Sequence, residues 1–177
     1  MGDSHALALL PMLKSATKAT GQKLTYSFKG SCFNSASLVP SLKKKAYGPC
    51  LDYSLGEFQR SFDRLSSGDS VVIGNWFNLY LTDTYVRGKP NTYSYFYDGE
   101  RLKDRAKVRE IYIQDMRSVA QKLSQKGINL IFVIDPPVLV REPVACESWA
   151  RLQSSDERSL LCSPDAKVVA AMQQNQL

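Results

Sequence analysis

Residues 128–134 read INLIFVI, and they follow Gly127 and precede the Asp-Pro-Pro of residues 135–137. An apolar run of this length without alternation is typical of a strand in a parallel sheet covered on both faces. Residues 104–126, just before it, carry apolar side chains at helical spacing and predict an amphipathic helix that ends at Gly127. This helix–glycine–strand unit indicates an α/β fold.

The same alternation recurs toward the N-terminus. The other predicted elements are helices over 6–20, 55–65 and 165–176, and strands over 23–28 and 70–73. Residues 29–53 are predicted as a long irregular excursion, and residues 76–99 as an irregular segment or hairpin on the surface. The order predicts a three-layer α/β/α sandwich with a mainly parallel, flavodoxin-like sheet. No strand precedes the first helix or follows the last, so we expect one partial domain over 1–177, incomplete at both termini.

Composition is that of a globular domain. The chain has 177 residues with 44% hydrophobic and 23% charged side chains, which excludes a disordered tail or a coiled coil. The net charge is +6, but the one tight basic run is Lys43–Lys45. Because that run lacks interleaved aromatics and no helix-turn-helix or zinc-finger spacing is present, we expect no nucleic-acid partner.

Four cysteines are present, and none forms a C-x-x-C pair. We favour the local pairs Cys32–Cys50 and Cys146–Cys162, because each closes a short loop; such pairs would indicate an oxidising compartment. The alternative is four free buried thiols in a cytosolic protein. The chain has a single histidine, His5, so it cannot supply the two histidines of a Cys2His2 zinc site.

Residues 2–5 read GDSH at the start of the first predicted helix. A serine there directs its backbone N–H out of the positive end of the helix, where an oxyanion can be stabilised. The alternative is that Ser4 is only an N-cap and that Asp3 simply suits a helix start. The letters GDS recur at 68–70, but there they lead into a strand, so Ser70 is predicted as a turn residue.

Three stretches carry a resemblance to a known family: GDSHALALLP at 2–11, VVIGNWFNLYL at 71–81 and INLIFVIDPP at 128–137. They resemble the SGNH (GDSL-type) hydrolases, and more closely the SGNH domains fused to acyltransferase-3 (AT3) membrane proteins, which O-acetylate bacterial surface glycans. The resemblance implies that Ser4 is the nucleophile and that its N–H, Gly30 and Asn75 form the oxyanion hole.

The sequence departs from this family in one respect, because the Asp-x-x-His block is absent. His5 is adjacent to Ser4, and neighbouring side chains on a helix point about 100° apart, so we do not expect His5 to be the base. The resemblance therefore implies acyl transfer or ester hydrolysis that is impaired in this chain, and leaves open whether the chain is an active enzyme. The alternative is a non-catalytic module that binds or positions glycan.

The same resemblance implies a setting for the domain. Its partners would be a surface polysaccharide or peptidoglycan-type glycan and an integral membrane acyltransferase domain, at the periplasmic face of the inner membrane. No metal and no cofactor are implied. The predicted substrate contacts are Asp3, His5, Trp76 and Tyr80; for Trp76 and Tyr80, packing in the core is the alternative.

Overall fold

The computed structural model describes residues 1–42, 45–82, 84–85, 89–90 and 93–134. The helices in these ranges are α1 (Ser4–Thr20), α2 (Gly48–Arg64), α3 (Phe77–Leu81) and α4 (Arg105–Gln125). The strands are β1 (Val39–Leu42), β2 (Lys45–Ala46), β3 (Ser70–Gly74), β4 (Thr84–Tyr85), β5 (Lys89–Pro90), β6 (Tyr95–Tyr97), β7 (Glu100–Leu102) and β8 (Asn129–Val133). The mixed α/β class is confirmed.

The unit that predicted the fold is present. Strands β3 and β8 are parallel, with Cα partners running from Ser70 and Asn129 to Gly74 and Val133. Helix α4 precedes β8 and ends in a turn at Gly127, whose φ of 70° favours glycine. The prediction that β8 is buried on both faces is wrong for the described residues, since Ile131 in its middle is 44% exposed.

Residues Met1 and Gly2 lie along the other edge of β3. The Met1 amino group donates to the Val72 carbonyl at 2.7 Å, and the Gly74 N–H donates to the Met1 carbonyl at 3.1 Å. Gly2 forms a parallel bridge with Gly74. Three neighbouring chain segments, Met1–Gly2, β3 and β8, therefore run in the same direction.

The predicted strand at 23–28 does not form as regular structure. Helix α1 ends at Gly21, as predicted, and the chain returns as an irregular segment to the Gly2 carbonyl, which accepts a hydrogen bond from Lys29 N–H at 3.0 Å. Tyr26 and Phe28, which alternate as in a strand, are exposed. Apolar residues alternate along 24–28, but the described residues provide no neighbouring strand to form regular backbone hydrogen bonds with them.

An antiparallel sheet has the strand order β2-β1-β6-β7, and its first three strands lie in the two stretches predicted as irregular. Helix α2 also begins earlier than predicted, at Gly48, with Pro49 in its first turn, where proline is tolerated. The hairpin option for 76–99 is confirmed by the β4–β5 pair, but the surface placement is wrong for the described residues Phe77, Leu79, Tyr80, Leu81 and Tyr95, which are buried. The three-layer sandwich with a mainly parallel sheet stays a prediction.

The core is rich in aromatic rings. Phe33 lies at its centre, with ring centroids 4.7 Å from Tyr80, 4.4 Å from Tyr112 and 6.2 Å from Tyr95. The Tyr95 hydroxyl donates to the Tyr80 carbonyl at 3.3 Å, so its polar end is satisfied inside the core. The aromatic stretch predicted at the surface therefore packs against the segment that follows the first cysteine.

The segment that follows Cys32 is held at residues 35–37 by one carboxylate. Asp115, on α4, accepts hydrogen bonds from the N–H groups of Ala36 and Ser37 at 2.9 and 2.8 Å. It also accepts hydrogen bonds from the hydroxyls of Ser35 and Ser37. Ser35 Oγ in turn accepts from Leu38 N–H at 3.0 Å. The Asp115 side chain thus binds three consecutive residues directly and a fourth, Leu38, through Ser35.

We expect Asp115→Asn to lower the free energy of unfolding by about 2–3 kcal/mol, because an amide presents N–H groups to donors that need an acceptor. The measurement is urea unfolding followed by tryptophan fluorescence. Glu110→Gln on the same helix is the control, since its pair with Lys107 is exposed on both sides and contributes little. Equal urea midpoints for the two variants would contradict this role of Asp115.

Candidate active site

Ser4 is the first residue of α1, and its side chain is exposed. The N-cap is Asp3, whose Oδ1 accepts the His5 N–H at 2.8 Å. The alternative that Ser4 is only an N-cap is therefore wrong. Within the described part of the chain, the Ser4 N–H has no hydrogen-bond partner, and it lies at the positive end of a 17-residue helix.

Two glycines allow α1 to lie directly on the end of β3. Gly2 has a φ of 152°, and a Cβ there would be 1.9 Å from the Gly74 carbonyl oxygen. A Cβ at Gly74 would be 2.7 Å from Leu9 Cδ1 and 3.2 Å from Ala6 Cα. The backbone before Ser4 and the start of its helix are therefore fixed against the sheet without intervening side chains.

The Asp3 carboxylate links α1 to the chain that follows β3. Its Oδ2 accepts the Trp76 N–H at 3.0 Å, and Asp3 is 1% exposed. The Tyr80 hydroxyl also hydrogen-bonds with Asp3. Burial raises the pKa of Tyr80, and the negative charge of Asp3 raises it further, so the phenol stays neutral and acts as a donor.

The four predicted substrate contacts separate into two pairs. Asp3 and Tyr80 are both buried, and their contact with substrate stays a prediction. His5 and Trp76 are partly exposed, with ring centroids 5.0 Å apart and planes 29° from parallel. His5 Nδ1 lies 3.6 Å from Asp3 Oδ1, so this edge of the ring faces the capping carboxylate.

The three predicted oxyanion-hole residues follow three neighbouring segments. Ser4 follows Met1–Gly2, Asn75 follows β3, and Gly30 follows Lys29, which hydrogen-bonds to Gly2. Asn75 is fully buried, and neither atom of its amide has a hydrogen-bond partner in the described residues. Burial raises the pKa of the nearby Tyr112 hydroxyl and the Asn75 side chain lowers it, so this amide faces a buried phenol, and its part in the oxyanion hole stays a prediction.

Sequence reasoning missed Asn34. Its side chain is fully buried, and its amide nitrogen and oxygen find no hydrogen-bond partner among the residues that the structure describes. It lies between Cys32 and the segment held by Asp115, in a stretch that was predicted as irregular. The apolar neighbours Cys32 and Phe33 were the sequence signal for a buried position.

The disulfide Cys32–Cys50 is confirmed, with its Cα atoms 5.1 Å apart. It joins the turn after Gly30 to the first turn of α2 and so limits how far that turn can move from Gly2. The second predicted pair, Cys146 with Cys162, lies outside the described residues.

Comparison with known proteins identifies the family. A family model described as "SGNH domain (fused to AT3 domains)" matches residues 1–177. The chain belongs to this SGNH family. No curated protein and no solved structure matched this SGNH domain significantly. Because the family is defined by fusion to AT3 domains, a membrane acyltransferase domain is the partner that membership supports. Within the described ranges of the SGNH domain, no helix is both long enough and apolar enough to cross a bilayer.

We expect Gly2→Ala to destabilise the SGNH domain by about 3 kcal/mol, because the new Cβ overlaps the Gly74 carbonyl oxygen and the backbone angle is unfavourable for alanine. Thermal unfolding followed by circular dichroism measures the effect. Gly30→Ala is the matched control: a Cβ there meets no atom within 4 Å, and the change should stay within about 0.5 kcal/mol. Comparable losses in both variants would argue against the close approach.

Proposed function

We propose that this SGNH domain performs acyl transfer on bacterial surface glycans through an acyl-Ser4 intermediate. The observation that carries the proposal is the exposed Ser4 at the start of α1, fixed by Gly2 and Asp3 and with its own N–H unpaired within the described residues. An O-acetyltransferase and an esterase share this chemistry and differ in the acceptor, which is a glycan hydroxyl or water.

In the proposed reaction, Ser4 Oγ attacks the carbonyl carbon of an acyl donor and gives a tetrahedral intermediate. The negative charge on its oxygen is stabilised by the Ser4 N–H and by donors from Gly30 and Asn75. The intermediate then collapses, the leaving group departs, and Ser4 carries the acyl group. An acceptor hydroxyl attacks the acyl-serine in the second half of the reaction and releases the serine.

A base must remove the hydroxyl proton of Ser4 for its oxygen to attack, and acyl transfer is slow when no base is present. His5 is the sole histidine of the chain, and as the next residue on α1 its side chain points about 100° around the helix axis from that of Ser4, which argues against that role. We therefore propose that acylation of Ser4 by residues 1–177 alone is slow and depends on a base from outside them.

The family and the disulfide support a proposal for where in the cell the domain acts. We propose that the domain acts at the periplasmic face of the inner membrane as part of a larger membrane protein, with surface polysaccharide or peptidoglycan-type glycan as acceptor. Cys32–Cys50 supports this placement, since disulfides persist in oxidising compartments. The parallel direction of Met1–Gly2, β3 and β8 supports the proposal that the domain is a three-layer sandwich.

A second candidate function is a non-catalytic module that binds or positions glycan. The stacked and partly exposed pair of His5 and Trp76 favours it, because an aromatic face with polar edges suits a sugar ring. In that case Ser4 would contact the glycan without forming a covalent bond.

Incubation with p-nitrophenyl acetate should add one acetyl group to Ser4, detected by intact mass and by peptide mapping. We expect Ser4→Ala to remove this adduct. Ser70→Ala should retain it, because Ser70 is the exposed serine of the second GDS sequence and begins β3. Added imidazole should raise the rate above its own background only where Ser4 is present, since it replaces a missing base.

Two results would overturn the catalytic proposal. Acetylation that survives Ser4→Ala would show a different nucleophile. Absence of any adduct at Ser4 with imidazole present would favour the binding module instead.

We expect Asn75→Ala to slow acetylation of Ser4 by about 100-fold or more, as is typical for loss of one oxyanion donor. Its stability should fall by about 1–2 kcal/mol, because truncating this fully buried side chain leaves a cavity beside the Tyr112 hydroxyl. Acetylation kinetics and urea unfolding together test this. A large loss of stability with unchanged acetylation would assign Asn75 a structural role only.

A further inference from the structure

The edge of the domain opposite Ser4 is rich in exposed cations. We call this the lower edge: it is where β3 and β8 begin and where α1, α2 and α4 end. Each of these helices has a basic residue in its last turn, namely Lys18, Arg64 and Lys122. Lys23 and Lys126, which lie just beyond the ends of α1 and α4, add two more exposed cations.

The contacts place these elements at one edge. The Gly68 N–H, before β3, donates to the Gly127 carbonyl, before β8, at 2.9 Å. The Lys126 ammonium donates to the Phe62 carbonyl in the last turns of α2. Helix α1 runs away from Ser4, and the segment after Gly21 returns to Gly2 at Lys29, so Lys23 lies at the far end of that excursion.

Among the residues that the structure describes, few acids offset this charge. Asp63 and Asp69 lie at the same edge, and both carboxylates accept local hydrogen bonds, from Gln59 and from the Ser66 N–H. Within the described residues, Lys18, Lys23 and Lys122 form no ion pair. The helix dipoles account for one cation at the end of each helix and for Lys126, which caps α4 and hydrogen-bonds to a carbonyl in the last turns of α2, but they do not account for Lys23.

We propose that the lower edge docks on an anionic lipid bilayer, with the lipid phosphates held by these five cations. Membership in a family defined by fusion to membrane AT3 domains favours a lipid surface over a soluble acidic polymer. None of the large apolar side chains exposed in the described residues belongs to this edge, so the contact is electrostatic and does not insert into the hydrocarbon.

This docking fixes the orientation of the site. Helix α1 has 17 residues and spans about 25 Å, so Ser4 faces away from the bilayer at about that height. The reactive serine then meets a chain extending from the membrane rather than the lipid surface itself.

The test measures partition of the 177-residue protein onto vesicles by co-sedimentation. We expect binding to vesicles of phosphatidylglycerol mixed with phosphatidylcholine, no binding to phosphatidylcholine alone, and loss of binding when salt rises from 0.1 to 0.5 M. The variant Lys18→Gln/Lys23→Gln/Lys126→Gln should bind about 100-fold more weakly, since each lysine contributes roughly fivefold near an anionic surface.

A control variant makes the same change in net charge at the other end of the molecule. Lys45→Gln/Lys103→Gln/Lys107→Gln alters exposed lysines of β2 and of the start of α4, and it should bind as the unmodified protein does. Circular dichroism checks that both variants fold. Equal partition of the two variants, binding to phosphatidylcholine alone, no binding to either vesicle, or tighter binding to soluble polygalacturonate than to vesicles would overturn the proposal. Partition does not depend on Ser4, so the result is independent of the proposed acyl transfer.

Discussion

The buried carboxylate of Asp3 is the constraint on which the arrangement around Ser4 depends. One oxygen caps α1 through the His5 N–H and the other holds the Trp76 N–H after β3, so the two sides of the site share one anion. A buried charge is tolerated only where hydrogen bonds replace its water, and the phenol of Tyr80 adds a third donor. The first three residues of GDSH thus differ in what they do. Gly2 lets the backbone pack against Gly74, Asp3 binds the N–H groups of His5 and Trp76, and Ser4 remains exposed.

A second layer supports this arrangement from behind. The disulfide of Cys32 and Cys50 holds the turn after Gly30 to α2, and Asp115 on α4 holds residues 35–38. Between these two restraints Phe33 packs against the rings of the core. Residues 32–38 are therefore a fixed part of the fold, and Asn34 among them is buried in the interior.

Prediction from sequence worked where a pattern is local. The end of α1 at Gly21, strand β3, the α4–β8 unit and the Cys32–Cys50 pair each follow from a few adjacent residues or from a short loop. The antiparallel sheet was missed because strands of two to four residues, such as β1 and β6, depend on partners distant in sequence. The choice between Asp3 and Ser4 as N-cap could not be made from sequence, since both residue types cap well. The unpaired amide of Asn75 is visible only once its surroundings are folded.

The direction of the helices gives the domain two chemically different ends. Because α2 and α4 precede parallel strands and α1 follows Met1–Gly2, all three helices begin at the edge that holds Ser4. Their N-terminal dipoles point toward this edge, and the Asp3 carboxylate offsets part of the positive potential at the start of α1. A fixed dipole suits a transient oxyanion that must form and decay. At the opposite edge the dipoles are negative, and lysine and arginine side chains reverse the sign. Full charges on flexible side chains suit a lasting, salt-sensitive contact with a surface, whereas fixed dipoles suit a reacting atom, so the two edges are built for different partners.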